Sequence, residues 1–231
     1  MTDKKPILHL KDARYHWSGR ASFALEIAEF SVQPAETVLL LGESGSGKST
    51  LLSLICGTVT AQSGVVEVGG TDLAKMSAAG RDRFRAEQIG VIFQQFNLLP
   101  FGSVLDNIML PLRFAPNRRA RVGETEAETL IENLGLPAEL IRARAGTLSV
   151  GQQQRVAAAR ALIGHPPLII ADEPTSALDA ATQVTFLDLL FSQSRANGTA
   201  LLMVSHDARL ANHFDRVVEM TQITQNQRVS A

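Results

Sequence analysis

The sequence predicts an α/β protein with a mostly parallel sheet covered by helices, a small N-terminal antiparallel sheet and an inserted helical segment. Three observations predict it. Short apolar runs rich in branched residues alternate with helical stretches: TVLLLG before STLLSLIC, IGVIF before a polar loop, PLIIAD before one helix and TALLMVS before another. Strands that alternate with helices build a parallel sheet buried on both faces. The N-terminal part differs, because ILHLKDARYHW, FALEIAEFSV and VVEVGG read as hairpin strands joined by short turns. Between Phe96 and about Val156 the strand signal disappears and the chain reads as helices in loops, an inserted lobe within one domain spanning residues 1–231.

Within that lobe, TEAETLIENLGL places Leu130, Ile131 and Leu134 at helical spacing. Two helix ends are marked by glycine: RVAAARALIG stops at Gly164 before His165, Pro166 and Pro167, and TFLDLLFSQSRANG stops at Gly198. In NRRARVGETEAE, Arg118, Arg119 and Arg121 precede three glutamates. A solvated loop followed by an acidic first helical turn accounts for this run, with a partner or lipid contact as the alternative. Cys56 stands alone in LLSLIC, where it can form neither an internal disulfide nor a zinc cluster, and reads as a small core residue.

Composition excludes several function classes. Lys and Arg total 22 against 23 Asp and Glu, so a net charge of −1 supplies no broad attraction for nucleic acid or anionic lipid. The start MTDKKPILHL lacks the apolar core of a secretory signal. No run approaches the roughly 18 apolar residues that a membrane span needs. The chain is therefore expected to be cytosolic, without insertion into a bilayer.

The chemistry begins at GESGSGKST, which follows the strand TVLLL and opens the helix STLLSLIC. Gly42, Glu43, Ser44, Gly45, Ser46 and Gly47 form a loop whose glycines let successive N–H groups point inward. They do so at the positive end of a helix dipole, where a triphosphate fits. Lys48 would reach the β- and γ-phosphates, the Ser49 hydroxyl would ligate Mg²⁺, and Thr50 continues the cradle. The fold class narrows accordingly to a P-loop nucleotide hydrolase. PLIIADE ends an apolar strand on two adjacent carboxylates, at the strand end where open α/β sheets place ligands. Asp172 would hold Mg²⁺ and Glu173 would polarise the attacking water as general base. Alone, such a pair could equally cap the next helix; beside the loop at Gly42 it points to hydrolysis.

LSVGQQQR, Leu148 to Arg155, resembles the signature sequence of the ABC ATPases and lies just upstream of the strand that leads to Asp172, as in that family. The resemblance extends over nearly the whole chain. It implies that Ser149, Gly151 and Gln152 close over the ATP held by a second copy, so that the active site is completed by dimerisation; a helix cap alone would also explain Ser149. Gln94, in IGVIFQQFNLLP, resembles the glutamine that touches Mg²⁺ or the attacking water and leads into the helical lobe that grips a membrane partner. SALD, ending in Asp179, resembles the loop through which the two copies sense each other. His206 resembles the histidine that contacts the γ-phosphate. The family stacks adenine on an aromatic residue before the phosphate loop, which leaves Trp17 and Tyr15 as candidates; Trp17 is favoured because it precedes SG.

What the resemblance implies is an ATP-hydrolysing transporter subunit that uses ATP and Mg²⁺. It would work as a homodimer beneath an integral membrane permease, peripheral on the cytoplasmic face of the inner membrane. Within the family, FQQFNLLPFGSVLDNIMLPL and the compact length look like the branch serving lipoprotein release, macrolide efflux and cell division. A regulatory or scaffolding cassette and a soluble cassette acting on nucleic acid or ribosomes are the alternatives. The departure from the family pattern is Val150, where glycine is commonest. Either the site is degenerate, or this position keeps an ordinary backbone with its side chain turned away from the phosphate.

Overall fold

The structure is a computed structural model that describes residues 5–17, 24–176 and 178–224. Phe23 and the SG after Trp17, which entered the strand and adenine expectations, and Ala177 of SALD lie outside the described residues. The chain opens with strands β1 (Leu8–His16), β2 (Ala24–Val32) and β3 (Thr37–Leu41), then helix α1 (Lys48–Ile55). Strands β4 (Ser63–Val68) and β5 (Thr71–Asp72) precede α2 (Ala78–Gln88) and β6 (Ile89–Ile92). Four helices follow: α3 (Val104–Met109), α4 (Pro116–Arg119), α5 (Glu126–Asn133) and α6 (Val150–Leu162). The chain then returns through β7 (Leu168–Asp172), α7 (Ala180–Ala196), β8 (Ala200–Ser205), β9 (Arg216–Glu219) and α8 (Met220–Ile223).

Two sheets form, one in the order β2-β1-β4-β5 and one in the order β6-β7-β8-β3-β9. Every pairing in the second sheet is parallel and every pairing in the first is antiparallel. The α/β expectation therefore holds, down to the separate N-terminal sheet. Alternation along the parallel strands divides the core. Leu39, Ile169 and Leu201 join the cluster under the helices, whereas Leu40, Ile170 and Leu202 join the cluster between the two sheets. A period of two on a strand buried on both faces produces this split.

The two glycine stops are in place, with Gly164 at φ 66° and Gly198 at φ 63° beyond the last turns of α6 and α7. Arg119 and Arg121 are exposed and Glu126 and Glu128 stand in the first turn of α5, but Arg118 is completely buried, which overturns the solvated reading at that residue. The cause is a set of helix-end carbonyls with no partner in their own helices. Arg118 donates from Nε to the Ile163 carbonyl at 2.6 Å, from Nη2 to Ala161 at 2.7 Å and from Nη1 to Ala86 at 3.2 Å, at the carboxyl ends of α6 and α2. Glu87 in turn accepts from the backbone N–H groups of Asn117 and Arg118. Burial pulls the guanidinium down to about 10, so it stays charged at neutral pH. The fit leaves no room at Gly164, where a Cβ would stand 2.7 Å from Arg118 Cγ. Cys56 packs against the core, and burial pushes its thiol up to about 12.

Candidate functional site

Four neighbouring strands of the parallel sheet end at one edge. The phosphate loop follows β3, Gln94 follows β6, Asp172 closes β7 and Glu173 follows it, and His206 follows β8. Carboxyl ends of strands in such a sheet are where a ligand crevice opens. Here a cavity of about 890 Å³ is lined by Trp17, Glu43, Ser44, Gly45, Gly47, Lys48, Ser49, Thr50, Gln94, Asp172, Glu173 and His206. Gly42 and Ser46 face a smaller neighbouring cavity with Glu219 and Met220, and the Ser46 hydroxyl is buried without a protein partner.

Gly47 stands at the start of α1 with φ 101°, a conformation that only glycine adopts cheaply. It turns the loop into the first helical turn, where Lys48 begins the helix. The buried Lys48 ammonium donates to the carbonyls of Gly42 at 2.6 Å and Glu43 at 2.9 Å, and lies 3.8 Å from Glu173 Oε1. With three donors, it folds the loop around itself and keeps one for a ligand.

At the end of β7 the ladder continues one residue beyond the strand, because Glu173 N–H donates to the Val204 carbonyl at 2.9 Å. Glu173 then takes φ 42°, a left-handed backbone that is costly for a residue with a Cβ. Its Oε1 lies 3.2 Å from His206 Nδ1. Beside it, burial first and the Glu173 charge second raise the Asp172 carboxyl above its usual range, while Lys48 opposes them.

Trp17 and Tyr15 part company. Trp17 lines the cavity and donates from Nε1 to Thr50 Oγ1 at 3.1 Å. Tyr15 packs into the core between the sheets and meets the Trp17 ring edge-to-face, with centroids 5.1 Å apart.

Ser149, Gly151, Gln152 and Asp179 do not line this cavity. Ser149 and Gln152 form a capping box on α6: Gln152 N–H donates to Ser149 Oγ at 3.3 Å and Ser149 N–H to Gln152 Oε1 at 2.9 Å. Ser149 and Val150 are exposed, and among the described residues no other part of the chain comes within 4 Å of a Cβ placed on Gly151, so the start of α6 faces open space. Val150 is the first residue of α6, has no left-handed backbone, and is half exposed. Asp179 caps α7, accepting from Thr182 Oγ1 at 2.7 Å and Thr182 N–H at 3.0 Å, and these bonds hold its carboxyl below the usual range.

The sequence reading missed Arg160 and Gln154, which reach the backbone beside Gln94 and Glu173. In RVAAARAL a buried arginine and a half-buried one look alike.

Residues 25–176 match the ABC transporter family. The chain is 44% identical over 194 residues to YbbA, an uncharacterized ABC transporter ATP-binding protein of Escherichia coli strain K12, covering 83% of each chain. It is 40% identical over 217 residues to the lipoprotein-releasing system ATP-binding protein LolD of Novosphingobium aromaticivorans, covering 93% of this chain and 96% of that one. The fold matches the dimeric post-hydrolysis structure of the ATP-binding cassette MJ0796 bound to ADP and Pi, with a TM-score of 0.77 and 28% identity over 97% of this chain and 99% of that one. LolD falls in the branch that the sequence resembles. The edge that gathers the phosphate loop, Asp172, Glu173 and His206 thus sits in a chain that belongs to the ABC transporter family, as an ATP-binding and ATP-hydrolysing subunit.

Proposed function

We propose that the chain hydrolyses ATP as a homodimer. Each active site is built from one copy's phosphate loop, Gln94, Asp172, Glu173 and His206 and from the other copy's Ser149, Gly151 and Gln152, with Asp179 at the seam. The observation that carries this reading is the separation of the two halves: the phosphate cavity lacks the signature residues, while the start of α6 is open in front. A second copy supplies what each cavity lacks, and the dimeric MJ0796 cassette bound to ADP and Pi supports the arrangement.

In this reading Lys48 neutralises phosphate charge, Glu173 takes the proton of the attacking water, and His206 holds Glu173 and the γ-phosphate in register. Trp17 stacks on adenine, its indole steadied by Thr50. The Ser49 hydroxyl, the Gln94 amide and the Asp172 carboxylate supply oxygen donors to one cavity, a set that suits Mg²⁺. The raised Asp172 fits the same assignment, since its charged form is disfavoured until a cation stands beside it. When bound, the ion screens the β- and γ-phosphate oxygens.

The energy is passed to a separate permease, at the cytoplasmic face of the inner membrane. Among the described residues no helix is long and apolar enough to cross a membrane. We assign the permease contact to the groove beside residues 96–156, read as the inserted lobe. It holds about 950 Å³ and is walled by Phe93, Leu110 and Phe114 with Asp82 and Arg83 at its rim. Phe93 and Phe114 are large exposed apolar groups of the kind that marks an interaction surface.

Mutation of the signature tests the shared site. Ser149→Ala or a bulky replacement of Gly151 is expected to remove most ATPase activity and ATP-driven dimerisation while each copy still binds MgATP. Val150→Gly is expected to change turnover little, because Val150 already holds an ordinary helical backbone. A rise of roughly tenfold on restoring glycine, equal to about 1.4 kcal/mol of barrier, would make the valine a brake and favour the regulatory role instead.

Trp17 provides an independent check, as the only indole in the chain. Saturating MgATP should change its fluorescence, and Trp17→Ala should weaken binding by roughly 1–3 kcal/mol, the range for base stacking on an aromatic. Unchanged emission would remove Trp17 as the adenine contact.

A further inference from the structure

Two buried polar side chains on α6 grip the backbone on either side of the cavity. Arg160, 7% exposed, donates from Nη2 to the Phe96 carbonyl at 2.5 Å and from Nη1 to the Asn97 carbonyl at 2.7 Å. Gln154, 1% exposed, donates from Nε2 to the Pro174 carbonyl at 2.8 Å. Phe96 and Asn97 closely follow Gln94, and Pro174 directly follows Glu173.

Both gripped segments carry backbone that needs holding. Phe96 has φ 56° and Asn97 φ 48°, two successive left-handed residues that are not glycine, and Glu173 has φ 42°. Such conformations persist only where the surroundings over-determine them. A planar guanidinium with donors in a fixed fork suits two successive carbonyls, whereas an ammonium does not. No carboxylate pairs with Arg160 among the described residues. Burial pulls it down to about 10, and what it receives in return is those two carbonyls.

We propose that Arg160 is a positioning residue for Gln94, tying the signature helix to the turn after Gln94 so that the seat of α6 sets where that amide stands. Gln154 fixes the same helix to the turn after Glu173. Its six-residue offset from Arg160 corresponds to about 9 Å along the axis. One rigid helix thus carries Ser149 at its open end and references both catalytic loops along its length. A shift of α6 when a second copy engages Ser149 is felt at Gln94 and at Glu173 together. The inference rests on the assignment of Gln94 to the metal or the attacking water.

The test is a double-mutant cycle of Arg160→Met with Gln94→Ala, read by turnover, MgATP affinity in equilibrium dialysis, and hydrogen exchange of the amides at residues 95–98 in nucleotide-free protein. Arg160→Met is expected to speed exchange at those amides by about tenfold or more, since the turn loses the contacts that hold it closed. It should cut kcat by about tenfold while MgATP affinity stays within about threefold. In the Gln94→Ala background it should cause no further loss of turnover, because Gln94 is the group through which Arg160 acts. Losses that multiply in the double variant, or exchange at 95–98 that does not change, would overturn the proposal. Normal turnover in Gln94→Ala alone would instead remove the assignment of Gln94, while the exchange measurement still decides whether Arg160 holds the turn. Arg160→Lys, which keeps the charge but not the fork, should fall between wild type and Arg160→Met, and it takes over the cycle if the methionine variant does not fold.

Discussion

Glu173→Gln is expected to leave ATP bound and to cut turnover by roughly 10²- to 10⁴-fold, the usual worth of a positioned general base. The amide keeps the shape and can still face His206 Nδ1, now 3.2 Å from Oε1, but it cannot take a proton from water. Because the variant closes around ATP without consuming it, an ATP-bound dimer should accumulate and be resolved by size exclusion. A second signature comes from Asp172. Its raised pKa means that the folded chain binds a proton more tightly than the unfolded one, so this group's contribution to stability falls as pH rises through the raised range. Glutamine at 173 removes one of the two causes of that shift. Thermal melts of nucleotide-free protein, taken upward in pH from the ordinary carboxylate range, should therefore show a shallower loss than wild type. Near-normal turnover would sink the assignment, and an unchanged melting profile would say that Glu173 is not the charge that burdens Asp172.

Lys48→Ala should weaken MgATP binding by about 2 kcal/mol or more, roughly thirtyfold, the scale of a lost charge-assisted hydrogen bond. The ammonium has two tasks. Its bonds to the carbonyls of Gly42 and Glu43 close the loop, and its charge offsets phosphate in the ground state and the transition state alike. Alanine removes both, so affinity and turnover fall together and ATP-driven dimerisation is lost. It also removes the cation that, among the described residues, opposes the upward shift of Asp172. Titration calorimetry with MgATP measures the first effect, and an unchanged affinity would contradict the role.

What the sequence by itself determined is whatever depends on neighbours in the chain. GESGSGKST between an apolar strand and a helix specifies a phosphate loop, because the loop's shape comes from its own glycines and its charge from its own lysine. The same holds for the helix stops at Gly164 and Gly198 and for the unbroken apolar runs TVLLL, PLIIAD and TALLMVS, which record strands buried on both faces. The family likeness added Gln94 and His206, which the structure brings to the cavity beside the loop, and the signature, which it leaves outside that cavity.

Only the tertiary structure decided between residues that the sequence leaves equivalent. Trp17 and Tyr15 stand two apart, on the same side of an extended chain. Pairing of β1 with β2 and β4 leaves Tyr15 half-buried against the core between the sheets, whereas Trp17 lies past the end of β1, where Thr50 holds its indole in the cavity. Arg118 and Arg119 are adjacent in a run that reads as solvated, yet only Arg118 meets the orphan carbonyls at the ends of α2 and α6. Arg160 is set apart from Arg155 on the same helix by carbonyls 63 and 64 residues upstream. A guanidinium's environment is a property of the elements that converge on it, and that convergence is settled only when the sheet order β6-β7-β8-β3-β9 has placed α6 between the two catalytic loops.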